Sequence, residues 1–292
     1  MTVTETRPPA PPEGGASSAP APRPRRRGAA GALPALAAAA VLAIAALAPS
    51  VLAPRDPRAI DLSATLRPPS WTHWLGTDEI GRDLYTRIVH GTGQSLVIGL
   101  GAAAVALVLA LVLALAATLT PAPVAATADR VIDVLFAFPT LLLALLLVGV
   151  LGPAPGTLVV AVGTGVAPGY ARMVRAQLLG VRNSPYVEAA TALGHRRARI
   201  VARHVLPNAL RPLVAVFALS VGQCVVWSSS LSFLGLGVAP PASEWGALLE
   251  AGRGYVGVAG WLVVLPGLAV VALAVTATAL GRALQTRLEP GR

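Results

Sequence analysis

The sequence predicts an all-α protein that crosses a membrane six times. Two features of its composition indicate this fold class. Of the 292 residues, 55% are apolar and only 12% are charged, whereas a soluble domain has about 25% charged residues. Aromatic residues make up 4% of the chain, so its apolar character comes from Ala, Leu and Val. This composition favours helices that pack through small side chains in lipid over a soluble core.

The apolar residues are gathered into runs, and each run predicts one membrane-spanning helix. The six runs cover residues 33–53, 96–119, 134–151, 157–171, 213–236 and 256–280. A helix of about 20 residues crosses the ~30 Å hydrocarbon core. The run at 157–171 is shorter, at roughly 22 Å by helical rise. We expect this helix to continue past Arg172, whose long side chain can reach the interface.

The segments around these runs define the predicted organisation of the chain. Residues 1–30 are rich in Pro, Ala, Gly and Ser, which predicts a disordered tail. The first helix and a polar segment follow at 31–91. A core at 92–283 holds five helices and a polar loop at 172–212, and a second tail covers 284–292. The first run could also be a cleaved signal peptide, but it is long for one and more spans follow, so we expect it to be retained.

The basic residues predict the orientation of the chain. All 23 are Arg. If residue 1 lies inside the cell, 17 Arg fall on inside segments and six on outside segments. Because inside segments of membrane proteins are enriched in basic residues, both termini are predicted to lie in the cytoplasm and the protein in the cell membrane. The Arg residues lie between apolar runs and not on a soluble basic face, so no nucleic-acid binding is predicted.

Composition also limits the chemistry of the chain. Without Lys it has no Walker A loop, because that loop uses a Lys to reach nucleotide phosphates. The four His residues show no metal-ligand spacing with acids or Cys, and Cys224 is the only cysteine. We therefore expect no metal site and no catalytic residue. A membrane-embedded enzyme would need a catalytic group of residues, and the serines at 228–230 have no visible base.

The polar loop at 172–212 contains eight Arg and a single acid, Glu188. Ser184 followed by Pro185 predicts a helix start, since Ser caps free N–H groups and Pro is tolerated at the first helical position. Gly194 can end that helix in a left-handed conformation. A second short helix is predicted at 195–205, with Pro207 ending it. These residues fit either a structured helix–Gly–helix element or a basic loop that only fixes topology.

Acidic residues at 76–83 predict a second polar feature next to a span. Thr77 is a candidate helix cap, with Asp78 and Glu79 in the first turn, where the helix dipole favours acids. Asp83 and Arg87 have the spacing of an i,i+4 ion pair. These residues predict an amphipathic entry into the second span rather than a substrate contact.

Two further acids, Asp129 and Asp133, lie one helical turn apart where the third span begins. They could form an interfacial cap or pair with Arg172 or Arg175 at the interface, or they could act as functional acids near lipid. A secondary transporter would need coupling-ion acids inside its spans. Only Asp133 comes near that condition, so the sequence favours the interfacial cap or ion pair.

The loop carries a spacing that resembles the EAA signature of ABC-importer permeases. That signature is Glu-Ala-Ala, three residues, Gly, nine residues, Ile, one residue and Leu-Pro. The matching residues are Glu188, Ala189, Ala190, Gly194, Leu206 and Pro207. The Ile position holds His204, which is the one departure. The resemblance implies that this element is a coupling helix that docks on a cytoplasmic ATPase.

A second motif resembles the GTDxxGRD segment of the C-type permease of dipeptide, oligopeptide and nickel importers. Its residues are Gly76, Thr77, Asp78, Gly81, Arg82 and Asp83. Residues 129–139, 231–237 and 240–246 also resemble that subgroup. The similarity covers roughly 71–283 and does not include the N-terminal tail.

The resemblance implies a type I ABC-importer permease fold and a defined set of partners. These are a homologous permease subunit in a heterodimer, two cytoplasmic ATPase subunits that bind ATP and Mg²⁺, an extracytoplasmic solute-binding protein and membrane lipid. It implies no cofactor in this chain and no enzyme activity of its own. The implied cargo is a di- or oligopeptide, with nickel or another small solute as the alternative. No substrate-binding residue is assigned by the resemblance.

Overall fold

The computed structural model describes residues 32–211 and 213–288. The predicted tail at 1–30 lies outside the described residues, as do residue 212 of the polar loop and the last four residues of the predicted C-terminal tail. Within the described part, the fold is helical throughout, and its only extended pairing is one antiparallel bridge between Thr77 and Asp83.

Twelve α-helices follow one another along the described chain. They are α1 (Ala32–Leu47), α2 (Pro49–Leu52), α3 (Leu84–Leu119), α4 (Ala122–Ala137), α5 (Thr140–Leu151), α6 (Pro155–Arg182), α7 (Pro185–Ala192), α8 (Arg197–Ile200), α9 (Leu206–Leu210), α10 (Leu213–Leu231), α11 (Trp245–Gly252) and α12 (Trp261–Leu288). Two π-helical segments (Val201–Val205 and Ser232–Leu236) and two 3₁₀ turns (Leu62–Ala64 and Arg253–Tyr255) lie between them.

Four of these helices are long and apolar enough to cross a membrane: α3, α6, α10 with its π-helical extension, and α12. The pair α4 and α5 makes a fifth candidate span, although the two helices meet at an angle of 94°. The apolar part of α1, Leu33–Leu47, is shorter than a usual span. The predicted multi-span helical fold is therefore present, and the count of six stays a prediction.

The bend between α4 and α5 differs from the straight helix predicted at 134–151. The helix α4 ends at Ala137 and α5 begins at Thr140. Pro139 explains the break, because it lacks an N–H group and disfavours a helical conformation for the residue before it. The first four residues of this run therefore lie on α4, and the part from Thr140 onward lies on α5.

The helix α3 begins twelve residues before the run predicted at 96–119. Asp83 occupies its N-cap position, and the carboxylate accepts a hydrogen bond from the backbone N–H of Thr86. The predicted cap, Thr77, is wrong, because that residue belongs to the bridge with Asp83 and its hydroxyl donates to the carbonyl of Ala64. The true cap is therefore the last residue of the motif, Asp83.

The last span also differs from its predicted bounds of 256–280. A 3₁₀ turn and a bend occupy residues 253–260, and α12 then runs from Trp261 to Leu288. The segment before α12 contains apolar residues, so the apolar run in the sequence begins earlier than the helix in the structure. The prediction that the fourth span continues past Arg172 is confirmed, because α6 ends at Arg182.

The core between α3 and α6 is built from small residues. Ala102, Ala106, Ala110 and Ala114 repeat every four residues along α3 and are fully buried. A Cβ atom on Gly163 of α6 would come within 2.9 Å of the carbonyl oxygen of Ala102. Because small side chains let helix backbones approach closely, this stripe positions α6 and the polar loop that follows it.

Candidate functional site

The two sequence motifs lie at opposite ends of α3. The 76–83 motif precedes the first residue of α3, whereas Arg182, the last residue of α6, donates a hydrogen bond to the carbonyl of Thr118 in the last turn of α3. A helix of 36 residues is about 54 Å long. We call residues 184–211 the basic loop and residues 76–83 the turn motif.

The basic loop is a structured helix–Gly–helix element. Its first arm, α7, starts at Pro185 and ends at Ala192. Gly194 follows with φ of +75°, a left-handed conformation that a residue with a Cβ adopts at a cost of about 1–2 kcal/mol. The second arm is helical from Arg197 to Leu210. The predictions of a helix start at Pro185 and of a left-handed Gly194 are confirmed.

Two details of the predicted loop are wrong. Ser184 stands at the N-cap position, but its hydroxyl donates to the carbonyl of Val181 and caps no N–H group. Pro207 does not end the second arm, which continues to Leu210. A π-helical turn, Val201–Val205, precedes the proline, and in it the N–H of Leu206 bonds to the carbonyl of Val201. The wider turn lets the helix pass a residue that has no N–H group to donate.

An apolar cluster fixes both arms of the basic loop to the spans. Val187 and Ala190 of α7 share this cluster with Val174 and Leu178 of α6. The second arm contributes residues to the same cluster: Ile200, Val205 and Ala209. Because the interior of such a cluster is close-packed, a displacement of α7 is transmitted to α6.

The opposite face of the loop carries its charges. Glu188 lies in the first turn of α7 and is exposed. The second arm presents four exposed arginines: Arg196, Arg197, Arg199 and Arg203. Among residues 32–211 and 213–288, none of these five side chains forms an ion pair. A cleft of about 660 Å³ between the arms is lined by Glu188, His195 and Arg197.

His204 is the residue that departs from the EAA spacing, and it has a defined neighbour. Its ring lies 6.4 Å from the ring of Tyr186, centroid to centroid, at a tilt of 55°. Tyr186 belongs to the first arm and His204 to the second. The aromatic contact therefore joins the two arms where the signature has an aliphatic residue.

The two glycines of the turn motif are required by its backbone. Gly76 and Gly81 have φ of +80° and +79°. A Cβ on Gly81 would lie 1.8 Å from the carbonyl oxygen of Asp61, and one on Gly76 would lie 2.7 Å from that of Arg67. No side chain fits at either position, so the motif can pack against segment 61–67 only with glycine there.

A buried ion-pair network holds the centre of the turn motif. Asp78 is 1% exposed, and its Oδ2 lies 2.6 Å from Nε of Arg82 and 2.7 Å from Nη1 of Arg87. Its Oδ1 accepts hydrogen bonds from the backbone N–H groups of Ile80 and Arg82. Arg82 also reaches Glu79 at 3.1 Å. The carboxylate thus has four hydrogen-bond donors, which compensates for its removal from water.

Asp83 and Arg87 do not form the predicted i,i+4 side-chain pair. The Oδ2 of Asp83 bonds instead to Nδ1 of His73 at 2.9 Å and to Arg55 at 3.3 Å. Arg87 turns to Asp78 and donates a second bond to the carbonyl of Ala242. The i,i+4 spacing did not predict these contacts, because both side chains bond to residues from other parts of the chain.

Two residues after Ala242, which accepts the bond from Arg87, lies a capping residue that local sequence rules did not indicate. Glu244 is 1% exposed and caps α11, accepting hydrogen bonds from the N–H groups of Gly246 and Ala247. Burial raises the pKa of Glu244 above its ordinary value, although these two bonds oppose the shift. Glu is not among the usual capping residues, so only the resemblance at 240–246 pointed to this site.

Two ion pairs join α4 to α6, as the sequence predicted. Arg172 lies 2.7 Å from Asp133, and Arg175 lies 2.7 Å from Asp129. Arg172 also lies over the ring of Phe136, 3.9 Å from its centroid. The interfacial ion-pair interpretation of the two acids is therefore confirmed.

Comparison with known proteins identifies the family. The sequence profile described as "Binding-protein-dependent transport system inner membrane component" matches residues 106–290, more than half of the chain. The chain belongs to this permease family. It is 36% identical over 239 residues to the probable D,D-dipeptide transport system permease protein DdpC of Escherichia coli K12, covering 82% of this chain and 80% of that protein.

Two further comparisons place the chain within the permease family. It is 36% identical over 245 residues to the di/tripeptide transport system permease protein DppC of Pseudomonas aeruginosa UCBPP-PA14, covering 82% of this chain and 81% of that one. Its fold is similar to a subunit in the crystal structure of an amino acid ABC transporter with histidines. That match has a TM-score of 0.58 at 19% identity and covers 70% of this chain and 95% of the other.

These findings confirm the resemblance seen in the sequence and the ABC-importer permease fold. They also make the chain an inner membrane component of a transport system. The roles of individual residues in the basic loop and in the turn motif are not tested by them and stay predictions.

Proposed function

We propose that this chain is one of two homologous permease subunits of an ABC importer that moves short peptides across the cell membrane. In this proposal the second permease subunit completes a heterodimeric path. Two cytoplasmic ATPase subunits bind and hydrolyse ATP with Mg²⁺, and an extracytoplasmic solute-binding protein delivers the peptide. The chain carries out no covalent step, so it needs no cofactor of its own.

The basic loop is the observation that carries the proposal. Its apolar side is packed against α6, while Glu188 and four arginines face outward without a partner among the described residues. A loop that only fixed topology would need neither a rigid shape nor a lone acid. The exposed charges instead fit a second protein surface, and charge-assisted hydrogen bonds to it would be the strong ones.

The apolar cluster supplies the coupling step of this mechanism. When the ATPases close on ATP, they displace α7 and the second arm. Because the cluster joins these arms to α6, the displacement reaches the spans, and the two permease subunits rock about a central path. This alternating access needs the loop to be stiff, which the left-handed turn at Gly194 and the contact between Tyr186 and His204 both favour.

The orientation and the substrate class belong to the same proposal. The Arg distribution supports a cytoplasmic location for both termini and the basic loop, the side on which the ATPase subunits of this proposal bind. Relatives described as permeases of dipeptide and di/tripeptide transport systems favour peptides. A nickel importer of the same architecture is the alternative that they do not favour.

The test is reconstitution of the chain with its partner permease and ATPases in proteoliposomes, supplied with the solute-binding protein. We expect the ATPases to co-purify with the permeases and a labelled dipeptide to accumulate only when ATP is present. Uptake without ATP or without the ATPases would contradict the proposal. Nickel accumulation without peptide uptake would change the substrate class and leave the coupling proposal standing.

A further inference from the structure

Two of the long helices, α6 and α10, differ from α3 and α12 in hydropathy and in how much of their surface is buried. They are the least apolar of the four candidate spans, and half or more of their most apolar stretch is buried. The more apolar α3 and α12 leave most of theirs exposed, as lipid contact favours. The exposed remainder of α6 and α10 is therefore the surface least suited to lipid.

An amide and a phenol meet on that surface. Gln223 lies near the middle of α10 and is exposed, and its Oε1 accepts a hydrogen bond of 2.9 Å from the hydroxyl of Tyr170 on α6. Within residues 32–211 and 213–288, the Gln223 side chain has no other hydrogen-bond partner. An amide NH₂ group without a hydrogen-bond acceptor is unfavourable in hydrocarbon, so lipid is a poor neighbour for it.

The same face of α10 continues with Trp227 and Ser230, one and two turns beyond Gln223. Both side chains are half-buried. Trp227 and Tyr170 pack on the same apolar cluster at the centre of the bundle. The Ser230 hydroxyl bonds to the carbonyl of Val226, so the donors that this face can offer are the amide of Gln223 and the indole N–H of Trp227.

The chemistry of this face fits a peptide group. A primary amide donates and accepts hydrogen bonds as a backbone amide does, and flat aromatic rings offer apolar surface to varied side chains. No charged residue lies in segment 213–236, so nothing on α10 would fix a particular charged side chain. Such a face would hold many peptide sequences weakly, as passage requires.

We infer that Tyr170, Gln223 and Trp227 form a substrate-contacting face of the translocation path. Gln223 hydrogen-bonds to backbone amides of the peptide in transit, and the two rings contact its side chains. This inference rests on the proposed function, because it assigns the peptide contact within it. The second permease subunit and lipid are the other possible neighbours of this face, and the experiment separates them.

The first test is accessibility in the assembled complex. In a Cys224→Ala chain shown to transport, single cysteines are placed at Gln223 and, as the control, at Val271, an exposed residue near the middle of α12. We expect a membrane-impermeant methanethiosulfonate to modify Gln223→Cys, and a dipeptide with binding protein and ATP to slow that reaction. The cysteine at position 271 is expected to react only with a lipid-soluble maleimide.

Three results would overturn the inference. They are no reaction at position 223 in any nucleotide state, reaction there only with the lipid-soluble reagent, and constant cross-linking to the second permease without peptide protection. If the wild-type complex transports peptide while one of these is seen, only this inference fails. If no peptide is transported but position 223 reacts from water, the peptide assignment of the proposed function fails.

The second test is transport by variants that remove or shorten the amide side chain at position 223. Gln223→Leu removes the amide, and we expect KM for the peptide to rise about fivefold, the factor that one net hydrogen bond supplies. ATPase co-purification should be unchanged, and Gln223→Asn should recover part of the loss. An unchanged KM in Gln223→Leu would contradict a peptide contact at this position.

Discussion

The turn motif and the basic loop both resemble motifs of ABC-importer permeases, yet the two regions differ in whether their polar groups are buried and paired. In the turn motif, Asp78 and Arg82 are buried and pair with each other. In the basic loop, Glu188 and the arginines are exposed and unpaired among the described residues. In the turn motif the charged groups pair with one another, and in the basic loop they stay available for the second surface that the proposed function requires. A polar motif can therefore be buried and paired in one place and exposed in another.

The energetics of the two regions follow from this difference. Removing one member of a buried ion pair leaves its partner charged and desolvated, which typically costs 3–5 kcal/mol. Removing an exposed charge typically changes folding free energy by less than about 0.5 kcal/mol. Variants that remove the buried carboxylate of the turn motif should therefore lose the fold, and variants of the basic loop should lose function while keeping the fold.

The largest expected effect on stability is at Asp78. Asp78→Ala leaves the buried guanidinium groups of Arg82 and Arg87 without their shared acceptor, so we expect a loss of about 3–5 kcal/mol and poor recovery of folded protein. The control is Glu79→Ala, whose carboxylate is partly exposed and, among the described residues, forms an ion pair with Arg82 alone, with an expected loss of about 1 kcal/mol or less. The measurement is the unfolding midpoint in detergent. Equal midpoints for the two variants would remove the structural role assigned to the turn motif.

The next effect, large on transport and small on folding, is at Gly194. A Cβ at this position meets no atom within 4 Å, so Gly194→Val costs conformational strain of about 1–2 kcal/mol without a clash. We expect the second arm to reorient, ATPase association to weaken and substrate-stimulated hydrolysis to be lost. Gly194→Asn is the control, because Asn tolerates the left-handed conformation, and it should retain most of the uptake.

Glu188→Ala provides a milder version of the same test. It leaves the backbone of α7 intact and removes one exposed charge, so folding should be normal and ATPase binding only weakened. Full uptake by Gly194→Val would contradict the coupling role proposed for the basic loop. A destabilised fold in Glu188→Ala would show instead that this acid has a structural partner, contrary to the contrast between the two regions.

What could be predicted from the sequence was mainly local. Pro185 at a helix start and Gly194 at a helix end were found because proline and glycine restrict or free the backbone wherever they occur. The pairing of Asp129 and Asp133 with arginines of α6 followed from charge near an interface. The apolar runs gave the spans, although not all of their ends.

What could not be predicted depends on distant parts of the chain. Thr77 obeys the local rules for a cap, but its hydroxyl is taken by the carbonyl of Ala64 and the cap falls to Asp83. Arg87 has the right spacing for Asp83 and instead joins Asp78 to Ala242. Periodicity and spacing describe one helix at a time, whereas these bonds are set by how separate segments fold together.

The smallest expected effect is at Asp133. Its carboxylate is paired, as in the turn motif, but exposed, as in the basic loop. Its pair with Arg172 is about half exposed, and such pairs contribute about 0–1 kcal/mol. Arg172 is also held over the ring of Phe136, so Asp133→Asn should leave that arginine in place. We expect an unfolding midpoint and a peptide uptake close to those of the wild type. Asp129→Asn, which breaks the parallel pair with Arg175, is the matched control. Loss of uptake in Asp133→Asn alone, with ATP hydrolysis intact, would mean that this acid takes part in transport. The chain would then resemble an ion-coupled carrier, in which an acid near lipid is functional, and the contrast drawn between a buried structural motif and an exposed coupling loop would be incomplete.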